Sequence, residues 1–120
     1  MNAPQMVCHL IDALRLPLGD IPCTVKPGPL SSKFARWLII SVLPIPPART
    51  RTTREFRTTA PGDWSADVAT LTATLDRFCR QGQDSSARWN VHPTFGELDR
   101  KQWGKLAAKH VDHHLRQFGV

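Results

Sequence analysis

Asp99-Arg-Lys-Gln-Trp-Gly-Lys-Leu-Ala-Ala-Lys-His-Val-Asp-His-His-Leu-Arg-Gln-Phe118 carries both the architecture and the candidate chemistry. Asp99 is a helix cap, and Gln102 three residues on completes a capping-box pattern. Leu98 and Trp103 stand at the hydrophobic-staple positions, and Gly119 offers a left-handed stop. At about 3.6 residues per turn, Trp103, Ala107, Val111 and Phe118 share one side, with Leu106 at its margin. Lys105, Lys109, Asp112 and Arg116 take the other. His110 and His114 fall near the middle of the apolar side, one turn apart. Two imidazoles spaced i and i+4 can aim a ring nitrogen at one point, the spacing of helical metal sites. The same spacing serves core histidines held by neighbours, because a buried imidazole needs partners for both nitrogens. A metal site would need a third ligand from elsewhere in the chain.

The rest of the chain surrounds this helix. Its 120 residues make one domain, 1–120, large enough for a modest core. The net charge of +6 raises the question of nucleic acid or anionic lipid without answering it. Cys8, Cys23 and Cys79 are odd in number and irregular in spacing, which argues against a disulfide framework and for a reducing cytoplasm. No secretory signal pattern opens the chain.

Residues 3–16 read as the first helix, with Asn2 as cap, Gln5 completing the box and Pro17 ending it. Met6, Leu10, Ala13 and Leu14 form its stripe, bordered by His9. Asp12 lies close to one turn after His9, where a carboxylate could receive the imidazole's second N–H. Cys8 points away from His9. Residues 18–31 are a Pro- and Gly-rich connector.

Ser31 or Ser32 caps a short apolar helix, Lys33 to Leu43, which Pro44, Pro46 and Pro47 stop. About 20 apolar residues are needed to span a bilayer, so this run reads as a buried helix or a lip over a pocket. Arg49, Arg51, Arg54 and Arg57 could track phosphates, yet no nucleic-acid module surrounds them, and a solvated loop or the rim of an anionic pocket is the preferred reading. Asp63 or Ser65 caps a helix over 65–81 whose inward stripe is Val68, Leu71, Thr72, Leu75, Phe78 and Cys79, with Gly82 as its stop. His92, followed by Pro93, reads as a structural turn residue. Helices without a competing strand signal predict an all-α, up-down bundle.

His92-Pro-Thr-Phe-Gly-Glu-Leu98, Trp103 and Lys109-His-Val-Asp-His-His-Leu-Arg-Gln-Phe118 closely resemble the C-terminus of a branch of the DinB-like (YfiT-like) superfamily, a branch known as a domain of unknown function. Proteins of that superfamily end in HxxxH followed shortly by Gln, which His110, His114 and Gln117 match. An earlier bundle helix carries a further ligand histidine in a context that Gln5-Met-Val-Cys-His-Leu10 matches. The resemblance implies one divalent metal, zinc or nickel, held by His9, His110 and His114, with Asp12 and Gln117 steadying the ligand rings. His113, on the flank beside Leu106, could replace His114 if the last helix rotates slightly.

Characterised members of the superfamily include metal-dependent transferases and isomerases that use low-molecular-weight thiols such as bacillithiol or mycothiol. The resemblance therefore implies a metal-dependent thiol transferase or a hydrolase acting on a small molecule. The alternative is a basic helical interaction module with structural histidines and no catalysis. Such bundles also carry a long helix before the first histidine-bearing one. Either Lys33–Leu43 fills that place or an apolar flank is exposed, which would favour a homodimer.

Overall fold

A computed structural model of the chain describes residues 1–25, 28–43 and 56–120. Among the described residues are four α-helices, α1 (Ala3–Leu18), α2 (Lys33–Trp37), α3 (Trp64–Gly82) and α4 (Arg100–Gln117). They contain no β-strand, only an isolated bridge between His92 and Gly96, so the architecture is an all-α bundle. The proline stop at 44, 46 and 47 and the arginines at 49, 51 and 54 lie outside the described residues.

Local chemistry fixes the ends of the outer helices. Asn2 Oδ1 accepts from Gln5 N while Gln5 Oε1 accepts from Asn2 N, both at 2.9 Å. Asp99 and Gln102 repeat the exchange at 2.8 and 3.0 Å, so four otherwise orphaned N–H groups are satisfied by two side-chain pairs. Pro17 does not end α1 as its ring led us to expect. The helix runs one residue further, to Leu18, and Gly19 closes it at φ 88°. Pro17 sits in the last turn, where its carbonyl accepts from Asn90 N.

α1 is the central helix. It packs most extensively on α3 and less on α4, while α3 and α4 touch each other least. Burial runs round almost its whole circumference: Val7, Cys8, Leu10, Ile11, Asp12, Leu14 and Leu16 are all at most 4% exposed. Met6, Val7, Leu10 and Ile11 pack at one end with Leu71 and Val111. At the other end Leu14 and Leu16 meet Ile21, Ile40, Phe78, Phe95, Leu98 and Trp103. Asn90 ties this second group together. Its amide donates to Ile21 O at 2.9 Å, and its carbonyl accepts from Trp103 Nε1 at 3.2 Å.

Two expected faces are corrected. On α3 the inward residues are Thr74 and Phe78, flanked by Leu71, whereas Val68, Thr72, Leu75 and Cys79 are exposed. Gly82 lies within the last turn, and Gln83 in right-handed helical geometry is the cap. The apolar run after Ser32 is α2 followed by a π-helical turn, Leu38–Val42. Only Ile40 is fully buried there, while Phe34 is 69% and Trp37 54% exposed. Among the described residues the π-helical turn packs on α4 and Ile40 reaches the core, whereas α2, which carries the two aromatic residues, touches none of α1, α3 and α4. Lys109 holds the turn in place: Nζ donates to the Leu43 carbonyl at 2.6 Å and to that of Ile39 at 3.2 Å. Phe118, expected on the apolar side of α4, is the exposed cap residue instead.

Candidate metal centre

α1 supplies His9, and α4 supplies His110 and His114. The sequence separates His9 from the pair by about a hundred residues, and the α1–α4 contact closes that gap. His9 and His114 are buried and His110 is half-buried. His110 Nε2 lies 2.9 Å from His9 Nε2 and 3.0 Å from His114 Nε2. Ligand nitrogens of all three rings fall within 4.8 Å of one another, a group that could hold a metal ion.

His9 Nδ1 is 3.1 Å from Phe56 O, and a carbonyl only accepts, so Nδ1 carries the hydrogen. Neutral His9 therefore presents a bare lone pair at Nε2. His114 Nδ1 donates to Gln117 Oε1 at 2.9 Å, which leaves Nε2 of His114 bare as well. Gln117 is oriented in turn by its own amide, which donates to His113 Nε2 at 3.2 Å. His110 has one Nε2–H at most to offer two lone pairs. At least one acceptor in the trio is thus without a proton, in a place where burial makes that costly. A divalent cation satisfies all three nitrogens together, and hydrogen bonds that fix the other ring nitrogen are the usual support of a histidine ligand. Metal–nitrogen bonds of about 2.0–2.1 Å set ligand nitrogens roughly 3–4 Å apart, a spacing that small ring rotations reach from here.

Burial keeps these rings neutral. It pushes His9 below the ordinary imidazole range, outweighing the bond to Phe56 and the nearby Asp12 carboxylate that favour the cation. His114 is lowered by burial and by His9, against its bond to Gln117. His110 is lowered most, to about 3, by burial first and then by repulsion from His9 and His114. Neutral imidazole is the form that binds metal.

Asp12 does something other than receive the His9 proton. Its buried carboxylate accepts from Thr58 N at 2.6 Å, Thr59 N at 2.9 Å, and the hydroxyls of both threonines at 2.9 and 2.5 Å. Asp12 thereby anchors the loop that carries Phe56, and Phe56 O holds His9. The Phe56 ring stands 6.1 Å from His9 and 6.4 Å from His110, centroid to centroid, and walls one side of the trio. Sequence reasoning missed Phe56, Thr58 and Thr59. The one available signal was Asp12 itself, a carboxylate within an apolar helix that must find donors somewhere.

The remaining candidates stand apart. His113 Nε2 engages Gln117 and its ring lies 5.2 Å from that of His114, outside the three-nitrogen group. His92 Nδ1 accepts from Thr94 N and Phe95 N at 3.0 and 3.1 Å, a turn-forming use. Cys8 is buried with Sγ donating toward Asp67 Oδ2 at 3.9 Å, and burial and the Asp67 and Asp12 charges raise its thiol pKa, so a reactive thiolate is disfavoured there.

Fold and site together define a helical bundle with a buried imidazole trio able to hold a metal ion. The sequence profile of a family described as protein of unknown function (DUF1569) matches residues 34–119, and the chain belongs to that family. The matched span includes His110, His114 and Gln117 and begins beyond His9. No curated protein and no solved structure matches the chain. No described helix is long and apolar enough to cross a membrane.

Proposed function

We propose that residues 1–120 form one DinB-like domain that binds a single divalent metal, zinc or nickel, through His9, His110 and His114. The observation that carries this reading is the convergence of three Nε2 atoms, two of them fixed as lone pairs by Phe56 O and Gln117 Oε1. The donor set fits such an ion: neutral imidazoles suit zinc and nickel, and three protein ligands leave a coordination position open. When bound, the ion supplies Lewis-acid polarisation of an electrophile or stabilisation of a thiolate. That chemistry agrees with the reading drawn from the DinB-like resemblance, a metal-dependent thiol transferase or hydrolase acting on a small molecule. The chain's own residues orient and screen the site: Phe56 excludes water on one flank, and Gln117 and the Asp12-anchored loop set the ring planes.

Metal analysis of untagged protein tests the proposal. Near-stoichiometric zinc or nickel is expected, falling to background in His110→Ala while the fold persists. Protein that takes up neither metal on titration would refute it. No observation on the described residues favours the rival interaction module.

A further inference from the structure

Of the three long helices, α3 and α4 touch each other least, and an apolar groove of about 480 Å³ runs between them. Leu75 on one wall is 40% exposed and Leu115 on the other 37%. Along the α4 wall Arg100, Gly104, Ala108 and Asp112 follow one another at four-residue intervals, so they form a single ridge. Among the described residues an alanine methyl at Gly104 or at Gly82 would meet nothing within 4 Å, so their packing requires neither glycine. Glycine inside a helix is unfavourable compared with alanine, and here it leaves the ridge low at its centre.

From these features we infer that the groove is an isologous interface in which a second copy lays its α4 antiparallel against the first. The ridge is self-complementary under a two-fold axis. Arg100 and Asp112 are symmetric about position 106, and so are Gly104 and Ala108. In an antiparallel pair centred there, Arg100 of each copy faces Asp112 of the other, and the two small residues face each other. Backbones can then approach closely in the middle while opposite charges meet at both ends. α3 runs back beside α4, with Gly82 accepting from Arg100 Nη1 at 3.3 Å. Leu115 of one copy therefore comes to lie over the open Gly82 end of the other copy's groove. Asp112 can serve both roles: Arg116 Nε engages its Oδ2, and the carboxylate has a second oxygen. Isolated surface pairs contribute little energy, so the charges set register while the apolar groove supplies affinity.

Charge swapping tests the register. Sedimentation or light scattering across a dilution series should give wild-type protein twice the 13.5 kDa chain mass. Arg100→Asp places two acids opposite two acids, and Asp112→Arg places two bases opposite two bases, so each variant alone should fall to the single-chain mass. Mixed in equal amounts they should re-form a dimer containing one of each, because every facing pair is then opposite in charge. Circular dichroism shows that each variant has folded before mixing. A wild-type monomer, single variants that stay dimeric, or a mixture that stays monomeric would each overturn the interface. Neither substitution touches His9, His110 or His114, so such a result leaves the metal reading standing.

Discussion

The ring of His9 and the backbone of Phe56, 47 residues apart, meet in a 3.1 Å hydrogen bond whose direction is fixed, because Phe56 offers only a carbonyl. Nothing in α1 itself sets the plane of His9; a loop does, and that loop is held by four bonds to Asp12. Asp12→Ala would remove both carboxylate oxygens and leave Thr58 N and Thr59 N, which share Oδ2, without their acceptor. A loss of about 2–4 kcal/mol in unfolding free energy is expected, as for breaking a buried charged hydrogen-bond network. Metal affinity should fall with it, by about 10–100-fold. Chemical denaturation and metal titration of the variant check both. A variant with wild-type stability and affinity would show that the loop does not depend on the carboxylate.

Gln117 separates support from ligation. Its side chain is exposed, so Gln117→Leu should leave the fold intact while removing the acceptor that fixes His114. Metal affinity is expected to drop by about 10–100-fold with little change in thermal midpoint. His113→Ala should cost less, because His113 acts only by orienting Gln117. If His113→Ala abolished metal uptake and His114→Ala did not, His113 would be the ligand and the trio assigned here would be wrong.

What could be read in advance divides by range along the chain. The capping boxes at Asn2 and Asp99 and the one-turn spacing of His110 and His114 are local, and they appear in the structure where the sequence places them. His9 is different: taken alone it is a histidine at the edge of an apolar stripe, and only the resemblance around Gln5–Leu10 singled it out. Phe56, Thr58 and Thr59 carry no periodic signal, and their importance depends on a fold that brings them to α1. The error on α3 has a related cause. Period tells that Val68, Leu75 and Cys79 belong to an apolar face, but not whether a neighbour within the chain covers it. With α4 only loosely beside α3, Leu75 and Cys79 line the groove, and Val68 is exposed outside its lining. The run after Ser32 misled in the same way, since apolar composition states a demand for burial and, among the described residues, none of α1, α3 and α4 lies against α2 to meet it at Phe34 and Trp37.

Acid should destabilise the metal-free protein through the trio. The unfolded chain takes up protons near the ordinary imidazole value of about 6.5, whereas the folded His110 resists protonation until about 3. Between those limits the unfolded state binds more protons, so stability present above about pH 6.5 is lost as pH falls, by up to about 1.4 kcal/mol per pH unit for each proton withheld. His9 and His114 are shifted in the same direction and act in the same window. Chelator-stripped protein should therefore show a thermal midpoint that falls from about pH 7 to about pH 5, and His110→Asn should flatten that slope. A midpoint that rose on acidification would mean the rings are charged in the fold.

Ile40 marks where the segment after Ser32 is anchored. It is completely buried against the group that includes Leu16, Phe95 and Trp103, while Phe34 and Trp37 on the same segment lie mostly in solvent. Ile40→Ala removes buried volume that its packed neighbours can only partly reclaim, and should cost about 2–5 kcal/mol. Phe34→Ser should stay within about 0.5 kcal/mol, as exposed substitutions usually do. Lys109→Met would remove the ammonium that joins the carbonyls of Ile39 and Leu43, releasing the far end of the π-helical turn without touching Ile40. Hydrogen exchange should then quicken at residues 38–43 in Lys109→Met while overall stability changes less than in Ile40→Ala. Equal losses in the Ile40 and Phe34 variants would mean that the whole apolar run is covered in solution, by a neighbour outside the chain or by a different packing of the segment itself.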